Sequence, residues 1–152
     1  MRRWYERLGL IAAGLDHTQP TDFYEDEVLA FFQNCYHLKD WLKGDLASGV
    51  SAKEVETYVK QSPNLLLCGG LATGSKHLII DDPRFDPNTQ VRNRHFEVEL
   101  RASLGGGPSP PPKIAVSYVV EANGVSQDAF ALATACLQEW ESFLASKGLP
   151  TT

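Results

Sequence analysis

Two of the four histidines in this chain have neighbours that suit acid–base chemistry, which histidine serves because its charge changes near neutral pH. His37 comes three residues after Asn34 and three before Asp40, so on a helix these side chains share one face. An asparagine and an aspartate at this spacing can orient an imidazole for proton transfer. The alternative is a half-buried histidine with ordinary hydrogen bonds.

The second candidate is the adjacent pair Lys76 and His77, at the predicted end of a glycine-containing helix. This pair could hold an anion or assist phosphodiester chemistry, with His77 as acid or base and Lys76 stabilising phosphate charge. The alternative is a cation pair that stabilises the negative end of the helix dipole. Catalysis would require Asn34 and His37 to meet the pair across the fold.

The cysteines and glycines predict neither a metal site nor a bound cofactor. The three cysteines, Cys35, Cys68 and Cys136, lie in separate apolar stretches, and we interpret them as core packing. Cys35 and His37 point in different directions on a helix, and the chain has no compact set of four cysteine or histidine ligands for zinc. The glycines match neither the phosphate-binding loop nor the dinucleotide fingerprint.

Candidate binding residues lie at two places along the chain. Asp40 and Trp41 belong to the long helix that carries His37, and the three tryptophans are interpreted as core or interface anchors. Arg92 and Arg94 indicate a basic strand edge, but nearby aspartates and glutamates make it a mixed surface. The formal net charge is −5, so any contact with RNA must be local, and no motif that reads a DNA sequence is present.

Length and composition predict one domain over residues 1–152, since 152 residues with 43% hydrophobic content can bury about 70% of the unfolded surface. No export signal or membrane-spanning stretch is predicted. An odd number of cysteines argues against a disulfide framework, so we expect a cytoplasmic protein.

Hydrophobic spacing predicts the helices that position the candidate residues. Apolar residues at intervals of three and four indicate helices over residues 2–16 and 22–43, and the second is the central element. Asp22 with Glu25 predicts a capping box, as does Ser51 with Glu54, and Ser62 before a proline predicts another helix start. A last helix runs from about residue 129 to Lys147, near Gly148.

Strict alternation predicts two antiparallel strands, over residues 95–102 and 114–120, joined by a tip rich in glycine and proline. Residues 77–81 offer a third strand, followed by an exposed loop over residues 82–90. The predicted fold is therefore α+β and mainly α: a bundle of four to five helices. A small antiparallel hairpin or three-stranded sheet is inserted at about residues 77–122, before the last helix.

The motifs FFQNCYHLKDWLK and SPNLLLCGGLATGSKHL resemble those of uncharacterised bacterial proteins and, more distantly, HEPN-type helical domains, over residues 22–78 and the last helix in outline. The resemblance implies a helical bundle whose catalytic members are ribonucleases that join two protomers. In those enzymes an arginine precedes the histidine. If His77 is the matching residue, this chain has Gly70, Leu71 and Ala72 there, which implies a non-catalytic binding or accessory domain.

Three functions follow from these observations. The first is a non-enzymatic, HEPN-like module that acts through a protein partner or a homodimer, in bacterial stress or phage defence. Its surface would be Trp41, His37 and the loop over residues 82–90. The second is a metal-independent ribonuclease or toxin that uses His77 with Lys76, Asn34 and His37. The third is a binder of a small molecule or nucleotide between the helices and the sheet, supported by the glycines near His77.

Overall fold

The computed structural model describes residues 1–16, 19–75, 82–99, 111–122 and 124–151, and within these ranges a small antiparallel sheet precedes the last of five α-helices. The helices are α1 Arg2–Ala13, α2 Thr21–Gly44, α3 Ala52–Gln61, α4 Pro63–Gly74 and α5 Ala129–Ser146. The strands are β1 Leu15–Asp16, β2 Gln90–Glu99, β3 Lys113–Ala122 and β4 Val125–Asp128. The predicted α+β, mainly α fold class is confirmed.

Helix α2 is the central element, and its apolar stripe is buried as predicted. Six residues of that stripe lie in the core: Val28, Phe31, Phe32, Cys35, Leu38 and Leu42. The capping box predicted from Asp22 and Glu25 is wrong, because α2 begins at Thr21 and the residue at the cap position is Pro20, which offers no side-chain acceptor. Asp22 lies inside the first turn instead, where its charge still favours the positive end of the helix.

The other two predicted helix starts are confirmed by their hydrogen bonds. Ser51 Oγ accepts from Glu54 N at 3.3 Å, and the Glu54 carboxylate accepts from Ser51 N at 2.9 Å, which completes a capping box. Ser62 Oγ accepts from Leu65 N at 2.9 Å, with Pro63 as the first residue of α4. These short side chains therefore fix where α3 and α4 begin.

Helix α1 is shorter than predicted, because Gly14 takes a φ of 95° that ends the helix. Leu15 then pairs with Ile114 of β3 as the short strand β1. Strand β2 begins at Gln90 and runs antiparallel to β3 along its whole length, from Gln90 opposite Glu121 to Glu99 opposite Lys113. Strands β1 and β4 also pair with β3, so they share its other edge.

One continuous core joins all five helices and β3. Alternate residues of β3, namely Val116, Tyr118, Val120 and Ala122, are buried, which confirms the predicted alternation. The predicted strand over residues 77–81 and most of the predicted tip lie outside the described residues. No helix in the described ranges is long and apolar enough to cross a membrane.

The segment of residues 82–89, which the sequence predicts as an exposed loop, is instead anchored on α4 and α2 through Phe85 and Thr89, both buried. Two glycines of α4 allow this close approach. A Cβ on Gly69 would lie 2.6 Å from Phe85 Cε1, and a Cβ on Gly70 would lie 3.0 Å from Thr89. The glycines are therefore positions of close packing, and the loop has a fixed place beside α2.

Candidate binding surface

The predicted residues of α2 lie on its solvent side. Asn34 donates from Nδ2 to the Ala30 carbonyl at 2.7 Å, within its own helix. His37 is partly exposed, at 37% of its side chain, and its Nδ1 lies 3.3 Å from Asp40 Oδ2. Asp40 therefore orients the imidazole, as the spacing predicted, whereas the hydrogen bond that Asn34 donates stays within its own helix.

Trp41 is the large aromatic side chain of this face, and 60% of it is exposed. It lies one helical turn after His37 and next to Asp40, so its ring borders the histidine–aspartate pair. The other two tryptophans differ, because Trp4 packs against the core and Trp140 is fully buried. Trp41 is thus available for contact, as the sequence predicted for an interface anchor.

Charged side chains from three elements form a chain of ion pairs beside Trp41. Asp40 Oδ1 lies 2.8 Å from the Nζ atoms of both Lys39 and Lys43. Lys43 also pairs with Glu56 of α3 at 2.7 Å, and Glu56 lies 3.7 Å from Arg84 of the 82–89 segment. We call the following set the Trp41 surface: His37, Lys39, Asp40, Trp41, Lys43, Glu56, Asp82 and Arg84.

The pKa values on α2 and α3 follow from this network. Burial alone would raise the pKa of Asp40, but hydrogen bonds from Lys39, Lys43 and His37 outweigh it and hold that pKa well below its usual value. The carboxylates of Asp40 and Glu56 in turn raise the pKa of Lys43, and Lys43 lowers the pKa of Glu56. Asp40, Lys43 and Glu56 are therefore all charged at neutral pH.

Aromatic contacts hold the 82–89 segment against α2. Phe85 meets the Tyr36 ring edge to face at 5.8 Å, and Lys39 Nζ lies 4.6 Å from the centre of the Tyr36 ring. Burial raises the pKa of Tyr36 to about 12. Arg84 donates to both carboxylate oxygens of Asp82 and lowers the pKa of Asp82 to about 2. Arg84 is therefore held in place from two sides.

The remaining predicted site residues are Lys76 and His77, which follow α4 in the sequence, and Arg92 and Arg94 of β2. Lys76 and His77 lie outside the described residues, so their convergence with His37 stays a prediction. Ser75, the last described residue before them, is held against α2, because Gln33 Nε2 donates to Ser75 Oγ at 2.8 Å. Arg92 and Arg94 lie on β2, where the backbone of Arg94 is opposite Tyr118, and their binding role stays a prediction.

Sequence reasoning missed the charged residues that complete the Trp41 surface. The spacing of Asp40 and Lys43 was a readable signal, since residues three apart on a helix can pair. Glu56 and Arg84 gave no such signal, because they lie on other elements, 28 positions apart along the chain. Only the packing of the 82–89 segment against α4 brings Arg84 within reach of Glu56.

The small-molecule hypothesis was suggested by the glycines near His77. Gly69 and Gly70 face packed side chains and not an open cleft. A cavity of about 430 Å³ does lie nearby, between α4, the 82–89 segment and the end of the sheet. Its lining includes Asn64, Leu67, Asp86 and Gln127. The lining also includes Arg84, whose charge is paired with Asp82 and Glu56, and the small-molecule hypothesis stays a prediction.

The three cysteines, predicted to be core packing, are buried as expected but also meet one another. Cys35, Cys68 and Cys136 come from α2, α4 and α5, and their Sγ atoms all lie within 4.8 Å of one another. Burial raises the pKa of Cys68. Burial would also raise that of Cys35, but contacts with the other two thiols and with Trp140 lower it to about 5.

Comparisons with family models, with curated proteins and with solved structures found no match to this chain. The resemblance to HEPN-type domains therefore stays a prediction from the sequence motifs.

Proposed function

We propose that this protein is a non-enzymatic binding module that works by self-association through the Trp41 surface. The observation that carries the proposal is an exposed tryptophan beside a fixed network of ion pairs drawn from two helices and a loop. The described part of this surface contains one histidine, and an aspartate orients it.

Trp41 is the expected anchor of the contact. Tryptophan is enriched among residues that carry most of the binding energy at interfaces, since its large ring buries much apolar area. Burying the exposed 60% of Trp41 would contribute about 3 kcal/mol per copy. Lys39, Lys43 and Arg84 are already held by acidic partners, so ordering them on association costs little side-chain entropy.

The charge of the surface favours a second copy of this chain as the partner. Two copies that each carry a net charge of −5 repel one another at long range. On the Trp41 surface, however, the three basic side chains are balanced by the acids Asp40, Glu56 and Asp82. A patch with both signs can pair with its own copy about a two-fold axis, where each residue meets its complement.

The sequence resemblance supports the same proposal, because catalytic HEPN-type domains act as paired protomers and members without the arginine are binding or accessory domains. On that basis we infer a cytoplasmic role in bacterial stress or phage defence. No metal or cofactor takes part in this function.

The test is sedimentation equilibrium of the wild-type protein, the Trp41→Ala variant and the Leu10→Ala variant. Leu10 is the matched control, since it is 56% exposed on α1, a different helix from the one that carries Trp41. Replacing a hot-spot residue with alanine weakens the binding free energy by about 2 kcal/mol or more. A two-fold dimer contains the residue twice, so the dissociation constant should rise about a thousandfold in Trp41→Ala. Leu10→Ala should dimerise like the wild type. A wild-type protein that stays monomeric at high concentration contradicts the proposal and leaves a different protein as the partner.

One observation favours the ribonuclease as the second candidate. The bond between Gln33 and Ser75 holds the end of α4 against Gln33, which lies one helical turn before His37 on α2. Purified protein should then cleave total cellular RNA without added metal, and cleavage should be lost in both His77→Ala and His37→Ala at matched folding. Cleavage that both variants retain, or no cleavage at all, removes this candidate.

A further inference from the structure

The centre of the helical core holds a cluster of three thiols that the proposed function does not use. Helices α2, α4 and α5 each contribute one cysteine, and the three side chains have no solvent exposure. Cys35, Cys68 and Cys136 are far apart in sequence, so their meeting is a product of the fold. We propose that these three sulfurs form a binding site for one copper(I) ion.

The spacing of the sulfurs suits a metal ion at their centre. Since no two Sγ atoms are more than 4.8 Å apart, a central ion would lie no more than about 2.8 Å from each, and metal–thiolate bonds are about 2.3 Å. A contraction of about half an ångström per sulfur, within the reach of small side-chain and helix adjustments, would therefore make three bonds. Closure of the site needs no rearrangement of α2, α4 or α5.

The hydrogen bonds leave the sulfurs free to face one another. Cys68 Sγ donates to the Phe32 carbonyl at 3.3 Å, and Cys136 Sγ donates to the Asn64 carbonyl at 3.4 Å. Their protons are thus directed at the backbone, and the sulfur lone pairs remain for the centre of the cluster. Cys35 donates to no carbonyl among the described hydrogen bonds, and its Sγ lies within 4.8 Å of both other sulfurs.

A buried polar group also points to a bound species. Trp140 is fully buried, and its indole N–H finds no hydrogen-bond partner in the described structure. The indole lies beside Cys35 and helps to lower the pKa of that thiol, but no hydrogen bond of ordinary geometry joins them in the described structure. A metal-bound thiolate is a stronger acceptor, so occupation of the site would give this N–H the partner it lacks.

The ligand set selects copper(I) among the ions that thiolates bind. Soft sulfur ligands favour copper(I), zinc and iron–sulfur clusters. Zinc takes four ligands, and the described residues place no fourth cysteine, histidine or carboxylate within the group. Copper(I) is satisfied by three sulfurs. Metal ligation requires thiolates, so the three thiols release their protons to solvent as the ion enters.

In the experiment, the full chain is refolded in the presence of copper(I) under anaerobic, reducing conditions. Copper is added during refolding because the closed core of the folded protein leaves the ion no direct path to the three cysteines. The copper(I) is supplied as its bicinchoninate complex, so the protein must compete for it. We expect one copper per chain after gel filtration and three sulfur neighbours in the X-ray absorption spectrum. No retained copper, or fewer than three sulfurs, overturns the proposal.

Variants distinguish copper bound at the three cysteines from copper bound at the protein surface. Cys35→Ser should weaken copper retention by more than about a hundredfold. Loss of a residue that only hydrogen-bonds to a metal ligand typically costs about 10–100-fold. His95→Ala, which removes an exposed imidazole on β2, should leave retention unchanged. If circular dichroism shows that Cys35→Ser does not fold, Cys136→Ala is used instead. The number of sulfur neighbours in the X-ray absorption spectrum of the wild-type protein tests the site independently of either variant. Full retention in a folded cysteine variant contradicts the site.

Discussion

The substitution Gly69→Ala tests whether close packing of α4 fixes the segment that carries Arg84. A Cβ at this position would lie 2.6 Å from Phe85 Cε1 and 2.7 Å from Tyr36 Cε2. Carbon atoms in contact prefer about 3.5–4.0 Å, so the new methyl group and each of the two rings must separate by about 1 Å. Tyr36 belongs to the central helix, so we expect Phe85 and its loop to move.

The magnitude follows from two opposing terms. Alanine is favoured over glycine inside a helix by about 1 kcal/mol. Forcing an extra methyl group into a packed core costs about 1–3 kcal/mol. Because Gly69 contacts two aromatic rings, we place the cost at the upper end and expect a net loss of about 1–2 kcal/mol in the free energy of unfolding.

Urea unfolding measures that loss, and hydrogen exchange locates it. The amides of Phe85 and Thr89 donate to Asp82 O at 3.1 Å and Asp86 O at 3.0 Å, and they should lose protection when the segment moves. Gly44→Ala is the control, since a Cβ there meets nothing within 4 Å and stability should stay equal or rise slightly. Wild-type stability in Gly69→Ala, with unchanged protection of Phe85, would refute the reasoning.

Three further outcomes are expected. Asp82 has a lowered pKa of about 2, so the stability it adds is complete above its usual pKa of about 4 and is lost as the pH falls toward 2. The thermal midpoint should therefore fall less over that range in Arg84→Gln than in the wild type. Ser62→Ala removes the cap of α4 and should cost about 1–2 kcal/mol in urea unfolding, and a loss near zero would mean that the cap is not used. Trp140→Phe removes the indole N–H beside Cys35 and should weaken copper(I) retention about 10–100-fold, whereas unchanged retention at matched folding would exclude the indole from the site.

Local patterns in the sequence were enough to predict most of the elements. The buried stripe of α2 follows from its helical period, and the starts of α3 and α4 follow from Ser51 and Ser62, because caps act within one turn. The same rule failed at Asp22, since Pro20 set the helix start two residues earlier. Strand β4 was missed because its four residues are mostly polar and exposed, so they show no alternation.

The candidate sites depend on contacts that sequence spacing cannot show. The pairing of His37 with Asp40 was predictable, since both lie on one helix face. The bridge from Glu56 to Arg84 depends on how a loop packs against α4, and the meeting of three cysteines depends on how three helices pack. Each cysteine alone has the sequence environment of a core residue, so none of them signals the cluster.

The measurement that tests the proposed function most directly is acrylamide quenching of tryptophan fluorescence as a function of protein concentration. The difference between the wild-type protein and Trp41→Phe isolates the signal of Trp41, which is 60% exposed in the single chain. If two copies meet at the Trp41 surface, this signal should be quenched readily in dilute solution and become protected as the protein concentration rises. Quenching of Trp41 that is equally strong at every concentration would contradict self-association through this surface.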